Sequence, residues 1–433
     1  MHDFQRILIA GTGPASIQMA VILKHHLNGC IGIAGRQSAR SESFFTALKQ
    51  SDQQVHVDIQ NEKHHKFQGK CRLDHVFDGY DTVAGHWDTL ILAVTADAYL
   101  EVLQQLNDEV RRQIKCVVLL SPTFGSGALT RQCMNVQRPD IEIISFSTYL
   151  GDTRWVHAIP SNRVITTGVK KKVFIGSTHT SSQNMEQLRA LYEQLDIAIT
   201  AMNSTLEAET RNISLYVHPP LFMNDFSLSV IFGEASTTKC VYKLFPEGPI
   251  TQALIRNMRS GWKEISAIVE KLNMSGVNLL KFMTDDNYPV RTESLSRHDI
   301  DHFVHLETIH QEYLLYVRYA SLLIDPFSEP DSNGKYFDFS AVPIRQIFIN
   351  QEGKWDIPRM PKEDYYRIKI IQGIAKHLHL NCPMIDQFIS TYEHKIEQVA
   401  LKLKGELLSD AFIIQSFAKD IEQICEEIEN SAS

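Results

Sequence analysis

An apolar run, Arg6-Ile7-Leu8-Ile9-Ala10, ends in Gly11-Thr12-Gly13-Pro14-Ala15-Ser16, and Ile17 to Leu23 then reads as a helix. This strand, glycine turn and helix form the setting in which a G-x-G-x-x-G run holds a dinucleotide. Gly11 allows the tight turn, and Gly13 lets the backbone approach a pyrophosphate. The helix start offers N–H groups and a positive dipole end to that phosphate. Ser16 stands where a third glycine or an alanine is usual and is still small. The cofactor-binding candidates here are Gly11, Thr12, Gly13, Pro14 and Ala15. The next strand, Ile31-Gly32-Ile33-Ala34, ends at Gly35-Arg36. NAD-binding chains usually carry Asp or Glu at this place. A cation suits the extra 2′-phosphate of NADP(H), or Arg36 is a solvated surface arginine.

A second stretch, Glu209 to Phe226, packs charge, amide, hydroxyl and imidazole between apolar residues. His218 precedes Pro219 and Pro220, which disfavour helix and stiffen the chain. It is a candidate general acid–base, or a hydrogen-bonded core histidine. Asp152, with Tyr149 and Gly151 beside it, could orient an imidazole or share its proton, or it serves as a turn residue. Arg154, Arg211, Arg291, Arg318 and Arg359 are candidates to hold substrate carboxylates. Tyr242 and Lys243 lie in a turn-rich segment that could face a substrate, although nothing nearby suggests a Schiff-base lysine.

These residues need a scaffold. Up to about Thr180, strand-like and helical runs alternate, which argues for a mostly parallel sheet covered on both faces. The expected strands include Val55–Ile59, Lys70–Val76, Thr89–Val94, Cys116–Leu120 and Ile141–Phe146. Val164–Gly168 and Val173–Ile175 read as a hairpin across the lysines. Three strand ends deliver small polar residues to one rim: Thr95-Ala96-Asp97, Ser121-Pro122 and Ser147-Thr148. A doubly wound sheet places its cofactor crevice there. From about residue 185 the pattern turns helical, over 186–202, 248–271, 299–323, 383–403 and 410–428, while 325–341 reads as a long ordered loop. The fold expected is α/β: an N-terminal Rossmann-like NADP-binding domain, 1–184, followed by a mainly α-helical catalytic domain, 185–433, whose last helix packs back on the first domain. The active site is expected in the cleft between them.

Composition narrows the function classes. The 433 residues are 43% hydrophobic and 22% charged, with a net charge of −8. No basic concentration points to nucleic acid, and no apolar run approaches the roughly 20 residues of a membrane span. The N-terminus enters a strand at once, with no leader-like segment. Seven scattered cysteines without a C-x-x-C pair fit free thiols in a reducing cytoplasm. The 18 histidines show no H-x-x-x-H or H-E-x-x-H spacing, so no metal is expected.

Longer strings carry a resemblance. They are GTGP at Gly11–Pro14, TADAY at Thr95–Tyr99, SPTFGS at Ser121–Ser126, SFSTYLGDTR at Ser145–Arg154 and TTGVKKK at Thr166–Lys172. Further on come SLYVHPPLFMNDFSL at Ser214–Leu228, YKLFPEGPIT at Tyr242–Thr251, EYLLYVRY at Glu312–Tyr319, DPFS at Asp325–Ser328, YFDFSAVP at Tyr336–Pro343 and IPRMP at Ile357–Pro361. Through them the chain resembles the opine metallophore dehydrogenases nearly end to end, less so after Lys402. The resemblance implies an NADPH-dependent reductive condensation. The amine of a histidine-derived aminobutyrate intermediate joins an α-keto acid, pyruvate or α-ketoglutarate, to give a nicotianamine-like metal chelator. It implies Arg36 as the 2′-phosphate residue, His218 as the general acid–base and Asp152 as an active-site aspartate. It also implies small-molecule partners, a cytoplasmic location and a homodimer. A simple NADP-dependent 2-keto or 3-keto acid reductase, and a non-catalytic NADP-sensing protein, are the competing readings.

Overall fold

The computed structural model describes residues 4–135, 138, 140–157, 159–234, 237–286, 290, 293–321, 338 and 340–432. The chain divides into two compact units, Met1–Asn212 with Glu422–Ser433, and Ile213–Ile421. The expected boundary at 184/185 therefore falls inside the first unit.

The first unit begins β1 (Arg6–Ala10), α1 (Pro14–Leu27), β2 (Cys30–Gly35), α2 (Ala39–Gln50), β3 (Gln54–Ile59), β4 (Gly69–Arg72), β5 (His75–Asp78) and β6 (Thr89–Leu92). It continues α3 (Tyr99–Gln105), α4 (Asp108–Gln113), β7 (Cys116–Leu119), α5 (Ser126–Asn135), β8 (Glu142–Phe146), β9 (Gly151–Trp155) and β10 (Arg163–Val169). Last come β11 (Lys172–Ser177), α6 (Gln183–Gln194), β12 (Ala198–Ala201) and α7 (Thr205–Glu209). The main sheet has the order β12-β11-β8-β7-β6-β1-β2-β5. From β5 to β8 the neighbours run parallel, and β11 is antiparallel to β8. A second sheet has the order β4-β3-β10-β9. Helix α1 packs on β1 and β2 and also on β3, β4, β9 and β10. Its residues Ser16 to Leu23 are consequently all buried, and apolar side chains on both sheets close over them.

Three expectations in this unit are corrected. Lys70–Val76 is not one strand. The chain breaks at Leu73-Asp74, where Asp74 accepts from Ile31 N at 2.7 Å and Lys24 Nζ at 2.7 Å, so β4 and β5 join different sheets. The run over 186–202 is helical only to Gln194. Asp196 then turns the chain at φ +61°, and β12 adds to the sheet edge beside β11. The 164–175 segment is no hairpin. β10 pairs with β3 and β9, while β11 pairs with β8 and β12, so Lys170-Lys171 is a crossing between two sheets.

The second unit is mainly helical: α8 (Ser214–Phe222), α9 (Asp225–Ile231), α10 (Gln252–Lys271), α11 (Leu279–Thr284), α12 (Arg297–His302) and α13 (Thr308–Ala320). A two-stranded ribbon, β13 (Phe348–Ile349) and β14 (Trp355–Asp356), precedes α14 (Arg359–His377) and α15 (Pro383–Lys402). Helix α16 (Ala418–Ala432) runs from this unit into the first. Here too the sequence pattern needed correction. The 299–323 run is broken by a 3-10 turn at Phe303–His305, and 410–428 by an extended stretch after Asp410–Phe412. Helix α10 starts at Gln252, capped by Thr251, rather than at Gly248. The 325–341 loop falls almost wholly outside the described residues.

The prolines after His218 do not break the helix. Pro219 and Pro220 lie inside α8, at a cost of about 3 kcal/mol for an interior proline. Leu215, Tyr216, Val217, Leu221 and Phe222 are all buried on the same nine-residue helix. Each contributes about 1.5–3 kcal/mol, so packing against α10 and α14 outweighs propensity.

Candidate functional site

In the first unit the parallel strands bring their C-terminal ends to one edge. The turn after β1 is clamped there: Gly11 has φ +127°, its N–H donates to Ala34 O at 2.7 Å, and a Cβ on it would lie 2.6 Å from Ala93 O. Gly13 caps α1 in an extended conformation, with Pro14 in the first turn and no side chain bonded to the helix start. A Cβ built on Gly13 meets nothing within 4 Å. Open space beside the start of α1 fits the pyrophosphate of a dinucleotide. Thr12 presses on the end of β2, its Cγ2 only 2.1 Å from where Gly35 would carry a Cβ. Arg36 follows directly and pairs with Glu101 of α3 at 2.5 Å, both side chains about half exposed. An accessible guanidinium at this strand end fits a 2′-phosphate.

Two more strand ends complete the rim. Thr95 leads from β6 into a 3-10 turn, with Ala96 buried and Asp97 exposed. Ser121 and Pro122 follow β7, and Asn212 Nδ2 donates to Pro122 O at 3.4 Å. Below this loop lies a residue that sequence reasoning missed, the fully buried Glu209. It accepts from Gly125 N at 2.8 Å, Gly127 N at 2.7 Å and Ser145 Oγ at 2.8 Å. It thus ties the end of β7 to β8. Burial pushes its carboxyl up to about 8, against the pull of the donors around it. Native Glu209 binds a proton more tightly than the unfolded chain, whose value is near 4.5. Its contribution to stability is therefore full below that pH and is lost as the pH rises towards 8. Thermal denaturation across this window should show a downward slope, which Glu209→Gln flattens.

Asp152 is the second residue of β9, six residues after β8 ends. Its Oδ2 accepts from Thr167 Oγ1 at 2.9 Å and from Arg154. Tyr149 turns its hydroxyl inward, to Thr153 Oγ1 at 2.9 Å. That bond opens a chain of polar groups through Thr166 to Gln18 of α1. Arg211 is buried and paired with Glu207 at 3.6 Å.

In the second unit His218 projects from α8 with 12% of its side chain exposed, and its Nδ1 lies 3.1 Å from Oδ1 of Asp364 on α14. Phe222 meets the imidazole edge to face, at 5.5 Å. Asp364 is fully buried. Burial alone would raise its carboxyl, but His218, together with Arg367, holds it below the ordinary carboxylate range. An ionised carboxylate only accepts, so Nδ1 carries a hydrogen and Nε2 is the nitrogen left to exchange protons. Arg367 donates to the same Oδ1 at 2.9 Å and also binds Glu363. The residue hydrogen-bonded to His218 is thus Asp364, not Asp152. The available signal was Glu363, Asp364 and Arg367 at helical spacing, but they sit among other charged residues of α14, and the partner of Asp364 lies 146 residues away.

The remaining candidates are placed elsewhere in this unit. Lys243 Nζ pairs with Asp338 Oδ2 at 2.5 Å, and Tyr242 beside it is partly buried. Arg318 is buried under Tyr319, its guanidinium 5.1 Å from the ring centre. Arg359 is exposed and pairs with Glu363 at 3.3 Å. Arg291 lies outside the described residues. Among the described residues no group of three or more His, Cys, Asp or Glu could hold a metal ion, and no helix is long and apolar enough to cross a membrane.

Known proteins resemble this chain along nearly all of its length. Staphylopine synthase of Staphylococcus aureus is 49% identical over 417 residues, covering 96% of each chain. Pseudopaline synthase of Pseudomonas aeruginosa is 33% identical, covering 90% of each. The structure of NADP+-bound yersinopine dehydrogenase superposes with a TM-score of 0.91 at 28% identity, over 99% of this chain and all of the other. The model of the staphylopine dehydrogenase family matches residues 5–428, and the chain belongs to that family.

Proposed function

We propose that the protein is an NADPH-dependent opine dehydrogenase. It condenses pyruvate with the primary amine of a histidine-derived aminobutyrate intermediate, giving a staphylopine-like chelator. The observation that carries this reading is the His218–Asp364 pair, found in a chain whose glycine turn and Arg36 suit NADP. The amine attacks the keto carbon, water leaves, and a carbon–nitrogen double bond remains. Bound NADPH supplies the hydride that reduces this bond to a secondary amine.

The residues divide this work. Gly11, Thr12, Gly13, Pro14 and Ala15 hold the pyrophosphate and Arg36 the 2′-phosphate. Thr95, Ala96, Asp97, Ser121 and Pro122 form the rest of the cofactor rim. His218 Nε2 accepts the proton released by the attacking amine and returns one to the departing hydroxyl. Asp364 fixes the imidazole's tautomer and orientation. Asp152 is assigned as a further active-site acid, and Tyr149, Arg211, Tyr242 and Lys243 remain substrate-side assignments. The metal belongs to the product. A cytoplasmic homodimer is part of this reading. Exposed Ile309, Tyr313 and Tyr316 on α13 make a face that a second copy would cover.

The test is mass analysis of products after incubation with NADPH, a keto acid and candidate amines. The expected mass is amine plus pyruvate, minus water, plus two hydrogens. NADPH oxidation by keto acid without any amine would instead make the protein a simple reductase. NADPH binding without turnover under any pairing would make it a sensor.

A further inference from the structure

Lys170 lies where the chain crosses from β10 to β11. Its N–H donates to Leu150 O at 2.8 Å, which fastens the crossing to the segment that follows β8. Its ammonium donates to Thr148 Oγ1 at 3.3 Å. Among the described residues no carboxylate pairs with it. The acid of β9, Asp152, stands opposite Gly168 and is taken by Arg154 and Thr167. The side chain is partly buried, and desolvation pulls the ammonium down to about 8. A cation in such a place costs free energy unless an anion joins it.

Its position says which anion. β11 runs antiparallel to β8 with Ile175 opposite Phe146, so the start of β11 stands at the C-terminal end of β8. Lys170 therefore shares the sheet edge with Gly11, Thr95 and Ser121. Along that edge the order is β8-β7-β6-β1-β2. At about 4.8 Å per strand, the end of β8 lies roughly 15 Å from the glycine turn. The 2′-phosphate residue, Arg36, is on the opposite side, at β2. A dinucleotide with its adenosine end at Arg36 and its pyrophosphate at Gly13 extends its nicotinamide towards β7 and β8. Lys170 thus stands beyond the cofactor's phosphates, on the side where the hydride leaves.

We propose that Lys170, with the Thr148 hydroxyl, binds the carboxylate of the α-keto acid. This rests on the dehydrogenase reading above and adds a substrate-binding residue to it. A single ammonium serves a carboxylate as a point charge, and holding that group aims the keto carbon at the hydride donor.

The test uses full-length Lys170→Met and Lys170→Arg. Methionine removes a desolvated charge at similar length, so the fold should tolerate it, and matching melting temperatures confirm this. In Lys170→Met the KM for the keto acid should rise about 10- to 100-fold, with the KM for the amine and the Kd for NADPH unchanged. Lys170→Arg should recover part of the loss. Calorimetric titration with oxamate, an unreactive pyruvate isostere, should show binding to the wild-type enzyme–NADP+ complex and none to the Lys170→Met complex. Unchanged oxamate affinity and keto-acid KM in a folded variant would overturn the proposal. So would a weakened NADPH affinity with the keto-acid KM unmoved, since Lys170 would then serve the cofactor. Failure of the dehydrogenase reading shows separately, as a wild-type protein that makes no condensed product, while the oxamate titration still reports on Lys170.

Discussion

His218→Ala will lower kcat by about 10²–10⁴-fold, the usual contribution of one positioned acid–base group, and will leave the Kd for NADPH where it was. Condensation needs an acceptor for the amine proton and a donor to the leaving hydroxyl. One imidazole serves both only if it returns to the same tautomer after each transfer. The structure provides for that: Asp364 is buried, ionised and 3.1 Å from Nδ1, so the proton on Nδ1 stays and Nε2 does the exchanging. Asp364→Asn should therefore cost most of what His218→Ala costs. An asparagine can offer its amide N–H to Nδ1 and reverse the tautomer while preserving shape. The double variant should be scarcely slower than either single one, because the two residues act as a unit. Steady-state kinetics of the three variants, with fluorescence titration of NADPH, checks this. Additive losses, or near wild-type rates in either single variant, would remove the pair from the mechanism.

The second large effect concerns the coenzyme. Arg36→Asp should weaken NADPH binding by about 100-fold while changing NADH binding far less, so the preference for the phosphorylated coenzyme is lost. Removing a charged hydrogen bond to phosphate costs about 1.5–3 kcal/mol, and a new carboxylate adds repulsion. The existing bond between Arg36 and Glu101 does not protect against this. Both partners are about half exposed, and such surface pairs contribute about 0.2–1 kcal/mol. The guanidinium can therefore leave Glu101 for a phosphate at little expense. Parallel titrations of both coenzymes decide the matter, and equal losses for both would move the 2′-phosphate contact elsewhere.

The strands and turns of the cofactor edge were legible because they are local. Ile7 to Ala10, the glycines and Arg36 lie within a span of thirty residues, and their order alone describes strand, turn, helix and strand. Legibility failed where distant chain decides. Residues 186–202 carry a helical rhythm, yet a free sheet edge recruits Ala198–Ala201 as a strand. Pro219 and Pro220 argue against helix, yet burial of seven of the nine residues of α8 keeps it. His218 stood out by its type and its stiff surroundings, whereas Asp364 looked like one more acid in a charged run. Its significance lies in burial and in the two donors on one oxygen, and neither is visible before the helices are packed. Lys170 was passed over for a related reason. Three consecutive lysines suggest a solvated surface, and only the crossing between two sheets partly buries the first of them at the sheet edge.

The last turns of α16 belong to the sheet-bearing unit. Ile424 packs against Gly125, and Glu427 meets Arg131 at 2.7 Å. A nascent chain leaves the ribosome from its N-terminus, so the nucleotide fold must wait, with that socket bare, until the whole second unit and the helix end beyond it have been translated. Premature termination anywhere upstream would leave a hydrophobic seat open for chaperones or proteases to find.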